Sequence, residues 1–186
     1  VLRPLAAEIK PAAKRALIDA AIAKLERGDP GWEPSLQVAR DLDGDAVADG
    51  LRALAAKLRK AKKKDKEIAV LTLLCKHERA SDEDRYRLAS AELLLSRRDT
   101  SPAARQRDAS LKLLSSLLDR GYDVSAALKK DRALGSEELF YVGFHFIEED
   151  HPLGEELLQD VVKKGGRTKL AKMAKNKLKL AERESA

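Results

Sequence analysis

An all-α fold is what three features of the sequence predict. Apolar stripes at helical period recur along its 186 residues, and nowhere does a period-two strand pattern persist. Alanine and leucine supply most of the apolar content while aromatics are only 4%, which suits close helix–helix packing better than sheets. Helix-starting and helix-stopping residues punctuate the chain at short intervals. Antiparallel helices joined by short loops mean a bundle or a solenoid, and the length fits one domain, 1–186.

The elements follow in order. "KPAAKRALIDAAIAKLERGDPG" starts with Pro11 in a first turn and stops at Gly28, with Leu17, Ala20, Ala21, Lys24 and Leu25 as its stripe. A loop then encloses a short helix around Pro34 to Arg40, and residues 1–44 read as a helical extension. Asp45 to about Lys63 is helical, with Val47, Leu51, Leu54, Ala55 and Leu58 on one face. "KEIAVLTLLCKHER" is apolar almost all round, so a central, buried helix is expected. Ser81 opens the next helix through an S-x-x-D box with Asp84, running to about Arg98. A helix from Pro102 to Gly121 and a short one in "DVSAALKKD" come next. Ser136 is expected to cap a hairpin that turns at Asp150-His151-Pro152 and stops at Gly165-Gly166. Residues 45–166 are thus helical hairpins and 167–186 a terminal capping helix.

A faint self-similarity runs through these hairpins. Leu139, Val142, Gly143 and Phe146, then Gly154, Leu158 and Val161, set the order: apolar, apolar, small, large, followed by small, large, aliphatic. Leu51, Leu54, Ala55 and Leu58, then Ala69 and Leu73, follow it. So do Tyr86, Ala89, Ser90 and Leu93, then Ala109 and Leu113, and Leu170, Met173 and Ala174 restart it. Small residues where helices cross let backbones approach closely. Over about residues 51–180 the pattern resembles the tetratricopeptide-type (TPR-like) helical hairpin. That resemblance implies a short right-handed α-solenoid, the alternative being an irregular helical bundle. It also implies a non-catalytic scaffold that binds a partner segment in a concave groove lined by the first helices. Position by position, the groove would hold Asp49, Arg52, Arg59 and Lys60, then Arg87, Ala91 and Leu94. Glu137, Phe140, Phe144, Ile147 and Glu148 follow, and finally Lys175 and Lys179.

Charge is distributed in blocks. The net charge is +6, yet Lys57–Lys66 alone carries +6, Glu137–Asp160 carries −8 and Lys163–Lys179 carries +8. Basicity is therefore local, and the isoelectric point by itself says little about nucleic acid. Neither basic segment holds an aromatic for base stacking, so nucleic-acid or anionic-surface binding through residues 57–66 and 163–179 stands as the alternative function. Within the last helix Leu170, Met173, Ala174, Leu178 and Ala181 form a narrow apolar stripe, opposite Lys169, Lys172, Lys175 and Lys179. This helix should pack back on the Ser136–Gly166 hairpin as a cap. Phe140 and Phe144 should line a partly exposed surface flanked by Arg52, Arg59, Lys60 and Arg87, suited to an acidic partner with apolar anchors.

Motifs of chemistry are weak by comparison. Glu148-x-x-His151 occurs once where di-iron bundles need two copies, and Pro152 disfavours helix at His151. Asp41, Asp43, Asp45 and Asp49 imitate a calcium loop, but Ala46 stands at its glycine position and Arg52 at its glutamate position. "VVKKGGRTK" lacks the first glycine of a phosphate loop and the lysine before Thr168. Cys75 lies among Ile68, Leu71 and Leu74, as a small buried hydrophobe would. Neither an enzyme, a metal site nor a cofactor is expected. A lone cysteine and the lack of a 20-residue apolar run point to a soluble cytoplasmic protein, and the opening Val1 points to a module of a longer one.

Overall fold

The computed structural model describes residues 9–96 and 101–184, and among these every regular element is a helix. In order they are α1 (Pro11–Arg27), α2 (Trp32–Leu42), α3 (Gly44–Lys60), α4 (Lys64–Cys75) and α5 (Asp82–Leu95). Then come α6 (Ser101–Asp119), α7 (Val124–Lys130), α8 (Ser136–Glu148), α9 (Pro152–Gly165) and α10 (Lys169–Glu184). The fold is all-α. The chain clusters into two compact units divided between Ala91 and Glu92, inside α5. The predicted end of α5 near Arg98 lies outside the described residues.

In the N-terminal unit α1, α2 and α3 pack on one another and α4 packs on α3. Pro11 takes the first turn of α1, and Gly28, at φ 78°, closes it with its N–H donating to Lys24 and Leu25 carbonyls. The buried row of α1 is Ile18 and Ala21, while Leu17 and Ala20 face outward. The expected stripe is therefore rotated by one residue. Two adjacent rows of α1 are apolar, and its neighbours select the one containing Ile22, which meets α3 at Gly50: a Cβ there would lie 3.0 Å from Ile22 Cγ1. Asp43 caps α3 by accepting from the Ala46 N–H at 3.0 Å, and all five predicted positions on the α3 face are buried.

Helix α4 departs from expectation. Only Glu67, Val70, Leu71 and Leu74 are buried; Ala69 is exposed and Cys75 half-buried. Its main neighbour, α3, covers one side, so an all-round apolar sequence does not become an all-round buried helix. The box at α5 forms as read: Ser81 Oγ accepts from the Asp84 N–H at 3.1 Å, and Asp84 Oδ2 accepts from the Ser81 N–H at 2.9 Å.

In the C-terminal unit α8, α9 and α10 pack together. Gly135, not Ser136, is the N-cap of α8, and the Glu138 carboxylate closes the turn by accepting from the Gly135 N–H at 2.7 Å. Pro152 starts α9, and His151 Nδ1 accepts from the Leu153 N–H at 3.2 Å. The predicted small-residue crossing is found here. A Cβ on Gly154 would lie 2.3 Å from the Ile147 backbone nitrogen, and one on Gly143 would lie 2.9 Å from Leu158 Cδ2. In the other two repeat copies the matching second-helix residues, Ala69 and Ala109, face outward, and Ser110 is buried in the place of Ala109. Helix α10 docks through Ala171 and Ala174, both buried. Met173, expected in its stripe, is 44% exposed, because only a small residue fits where α10 lies close on the hairpin.

Candidate interaction surface

Helix α8 carries an apolar arc wider than its packing uses. Leu139, Phe140, Val142, Gly143 and Phe146 are buried within the fold, whereas Phe144 is 40% exposed and Ile147 half-buried. Phe140 therefore does not line an open surface as expected. It lies one helical turn from Phe144 with ring centroids 5.9 Å apart, supporting Phe144 from beneath. On the outer side Lys177 of α10 sets its Nζ 4.7 Å from the Phe144 ring centroid and pairs with the Glu148 carboxylate. Tyr141 carries the Arg107 guanidinium 3.7 Å above its ring. Beyond Ile147 the surface dips into a cavity of about 320 Å³, lined among others by Asp150, His151, Glu155, Leu178 and Glu182.

The basic residues predicted for the same groove belong to the N-terminal unit. Arg52 is committed there: its Nε and Nη2 donate to the Asp84 carboxylate at 2.8–3.1 Å, Nη1 to Asp49 at 2.8 Å, and Nη2 to the Arg79 carbonyl at 2.9 Å. Burial would raise the Asp84 carboxyl, but hydrogen bonds from Arg52 and Ser81 more than offset it and hold the group below its usual range. Arg52 thus acts as a fastener between α3 and the start of α5. Arg59 Nε stands 4.0 Å from the buried Glu67, Lys60 is exposed, and Arg87 pairs one turn back with Glu83 at 3.1 Å. The Arg52–Asp84 pair was hidden in the sequence because the S-x-x-D box already gave Asp84 a local role, and 32 residues separate the partners.

Each acidic or histidine motif resolves into a local structural task. Asp43 caps α3, Asp45 pairs with Arg79 at 3.4 Å, Asp49 with Arg52, and Asp41 accepts from Gln37 at 3.1 Å, so the calcium-like aspartates do not converge. His77 is buried with Nδ1 accepting from the Arg79 N–H, and burial, aided by the Arg40 charge, lowers its pKa. His151 caps α9. Among the described residues no group of three His, Cys, Asp or Glu side chains could hold a metal ion.

One cluster escaped sequence reading. Ser115 Oγ of α6 lies 3.0 Å from His145 Nε2 and donates to Glu149 Oε2 at 3.0 Å, while Glu149 Oε1 is 3.3 Å from the same Nε2. His145 and Glu149 are visibly four apart, but nothing local announces Ser115. The residue types are those of a nucleophilic triad and the geometry is not. A triad places the acid on Nδ1 behind a histidine whose Nε2 meets the serine; here serine and acid share Nε2. The cluster serves to hold α6 to α8.

The Lys-rich helix has Lys169, Lys172, Lys175 and Lys179 exposed, and at the other basic segment Lys57 meets Glu26 at 2.5 Å. No helix among the described residues is long and apolar enough to cross a membrane. Comparison with protein-family models, with curated proteins and with solved structures finds no match.

Proposed function

We propose that the chain is a non-catalytic protein-interaction scaffold, its hairpins stacked in the manner of a TPR-like α-solenoid, and that α8 presents a partner-binding face. The observation that carries this reading is the open part of the α8 arc: an aromatic ring and a branched aliphatic side chain stay accessible on a helix whose other apolar residues are enclosed. Aromatic side chains, phenylalanine included, are enriched at protein–protein interfaces. The expectation of an acidic partner rested on Arg52, Arg59, Lys60 and Arg87. With Arg52 held by Asp84, that expectation loses its strongest member, and Phe144, Ile147 and Glu148 remain as the site. A cytoplasmic, reducing setting accompanies the proposal, since the single Cys75 offers no internal disulfide.

The test is a photo-crosslinking residue at position 144, compared with one at the exposed Lys112, in cells that make the protein. A defined protein adduct from position 144 alone, resistant to nuclease, is the expected result. An adduct pattern identical at both positions would end the proposal. Adducts abolished by nuclease would transfer the function to the Lys-rich segments.

A further inference from the structure

The cavity beside Ile147 has a chemistry of its own. Its apolar floor comes from Ile147 of α8 and from Leu178 and Ala181 of α10; its rim carries Asp150, Glu155 and Glu182, and among the described residues no lysine or arginine lines it. Resting on the interaction reading above, we propose that it receives a basic side chain from an otherwise apolar segment of a partner protein. An arginine or lysine would lay its hydrocarbon stem on the floor and bring its charged head to the three carboxylates.

Four observations support that occupant. The volume, about 320 Å³, lies at the small end of ligand clefts and suits one long side chain with part of its neighbour. All three carboxylates are on exposed residues; among the described residues Glu155 accepts a side-chain hydrogen bond only from the neutral Gln159, at 2.9 Å, and neither Asp150 nor Glu182 meets a lysine or arginine at ion-pair distance. The α8 C-terminus and the last turns of α10 lie at the cavity, and helix C-termini favour positive charge. The opposing helix start, α9, is blunted as an anion site. Pro152 has no N–H, the Leu153 N–H is taken by His151 Nδ1, and the Gly154 N–H by the His151 carbonyl. An acidic partner would meet three like charges here, with no free backbone donor from the first three residues of α9 in compensation.

The experiment selects peptides from a random 12-residue display library on the full chain, then measures affinity of the enriched peptides by fluorescence anisotropy. Enriched sequences should pair arginine or lysine with adjacent apolar residues. Their affinity should fall at least about tenfold for the Asp150→Asn, Glu155→Gln, Glu182→Gln triple variant, and equally for Ala181→Trp, which fills the cavity without changing charge. Both variants should keep the helical circular-dichroism signal of the parent. Acidic consensus peptides, no enrichment, or affinities unmoved by both variants would overturn the proposal. Peptides that survive both cavity variants yet are lost with Phe144→Glu would remove the cavity chemistry and leave the interaction scaffold standing.

Discussion

One helix junction in each unit shows a different way of joining helices. In the N-terminal unit, α3 reaches the start of α5 through the Arg52 guanidinium, whose partner Asp84 is 1% exposed and also accepts from the N–H and the hydroxyl of Ser81. In the C-terminal unit, α8 meets α9 where side chains are missing, with Gly143 under Leu158 and Gly154 against the Ile147 backbone. A charged fastener spans a gap and tolerates small movement, but its strength follows protonation. A glycine crossing has no titratable part and tolerates no added atom. The α3–α5 junction should therefore respond to acid, the α8–α9 crossing to a single methyl group.

The sharpest test of that contrast is Gly154→Ala. The added carbon would collide with backbone, which cannot swing aside, so about 3 kcal/mol of destabilisation is expected, at the upper end for overpacking. Urea unfolding followed by circular dichroism reads it, and an unchanged midpoint would mean that α8 and α9 do not approach as described. Next comes Arg52→Met, which leaves a buried carboxylate with Ser81 alone. A loss of about 2–3 kcal/mol is expected near neutral pH, below the full cost of a broken buried pair because Arg52 is itself partly exposed. The pH profile carries the sign. Asp84 has a folded pKa below its ordinary 3.8, so its stabilisation is complete above that value and disappears as pH falls through the folded pKa. The parent should lose this contribution in acid, and the variant should have little left to lose.

Gly143→Ala is a smaller version of the first test. Its neighbours are mainly the movable Leu158 side chain, so a cost of about 1–2 kcal/mol is expected in the same urea experiment. Glu92 supplies an effect of opposite sign. Burial pushes its carboxyl up to about 7, so the folded state holds a proton that the unfolded state releases near 4.5, and stability declines as pH rises between those values. Glu92→Gln should gain about 1 kcal/mol at pH 8, a figure reduced for partial exposure, and the gain should vanish below pH 4.5. Thermal melts at the two pH values decide it. Smallest of all is Lys177→Gln, which removes the exposed pair with Glu148 and the cation over Phe144. At most ~1 kcal/mol is expected, with 1 M salt erasing most of the difference between parent and variant melting temperatures.

Helix limits were legible wherever local chemistry sets them. Pro11, Gly28, the Ser81–Asp84 box, Pro152 and Gly165-Gly166 all act within a few residues of themselves, and α1, α5, α8 and α9 begin or end near them. The exception, Gly135 in place of Ser136, came from adjacent residues that could both cap. The candidate site was legible only as a wide apolar arc on α8. A helical wheel reports that Phe140 and Phe144 are both apolar, not which of them a neighbouring helix will cover.

The sequence by itself determined the helices, their order, the close crossing at Gly143 and Gly154, and the return of α10 onto its hairpin. Tertiary structure decided which row of each helix is buried: Ile18 over Leu17, Ala171 over Met173, Phe140 over Phe144. It also made the pairs between distant residues, Arg52 with Asp84 and Ser115 with His145, and the cavity beside Ile147. Caps and turns are fixed by bonds a chain makes with its near neighbours. Burial and long-range pairing depend on where the other helices come to rest, and no local stretch of sequence carries that information.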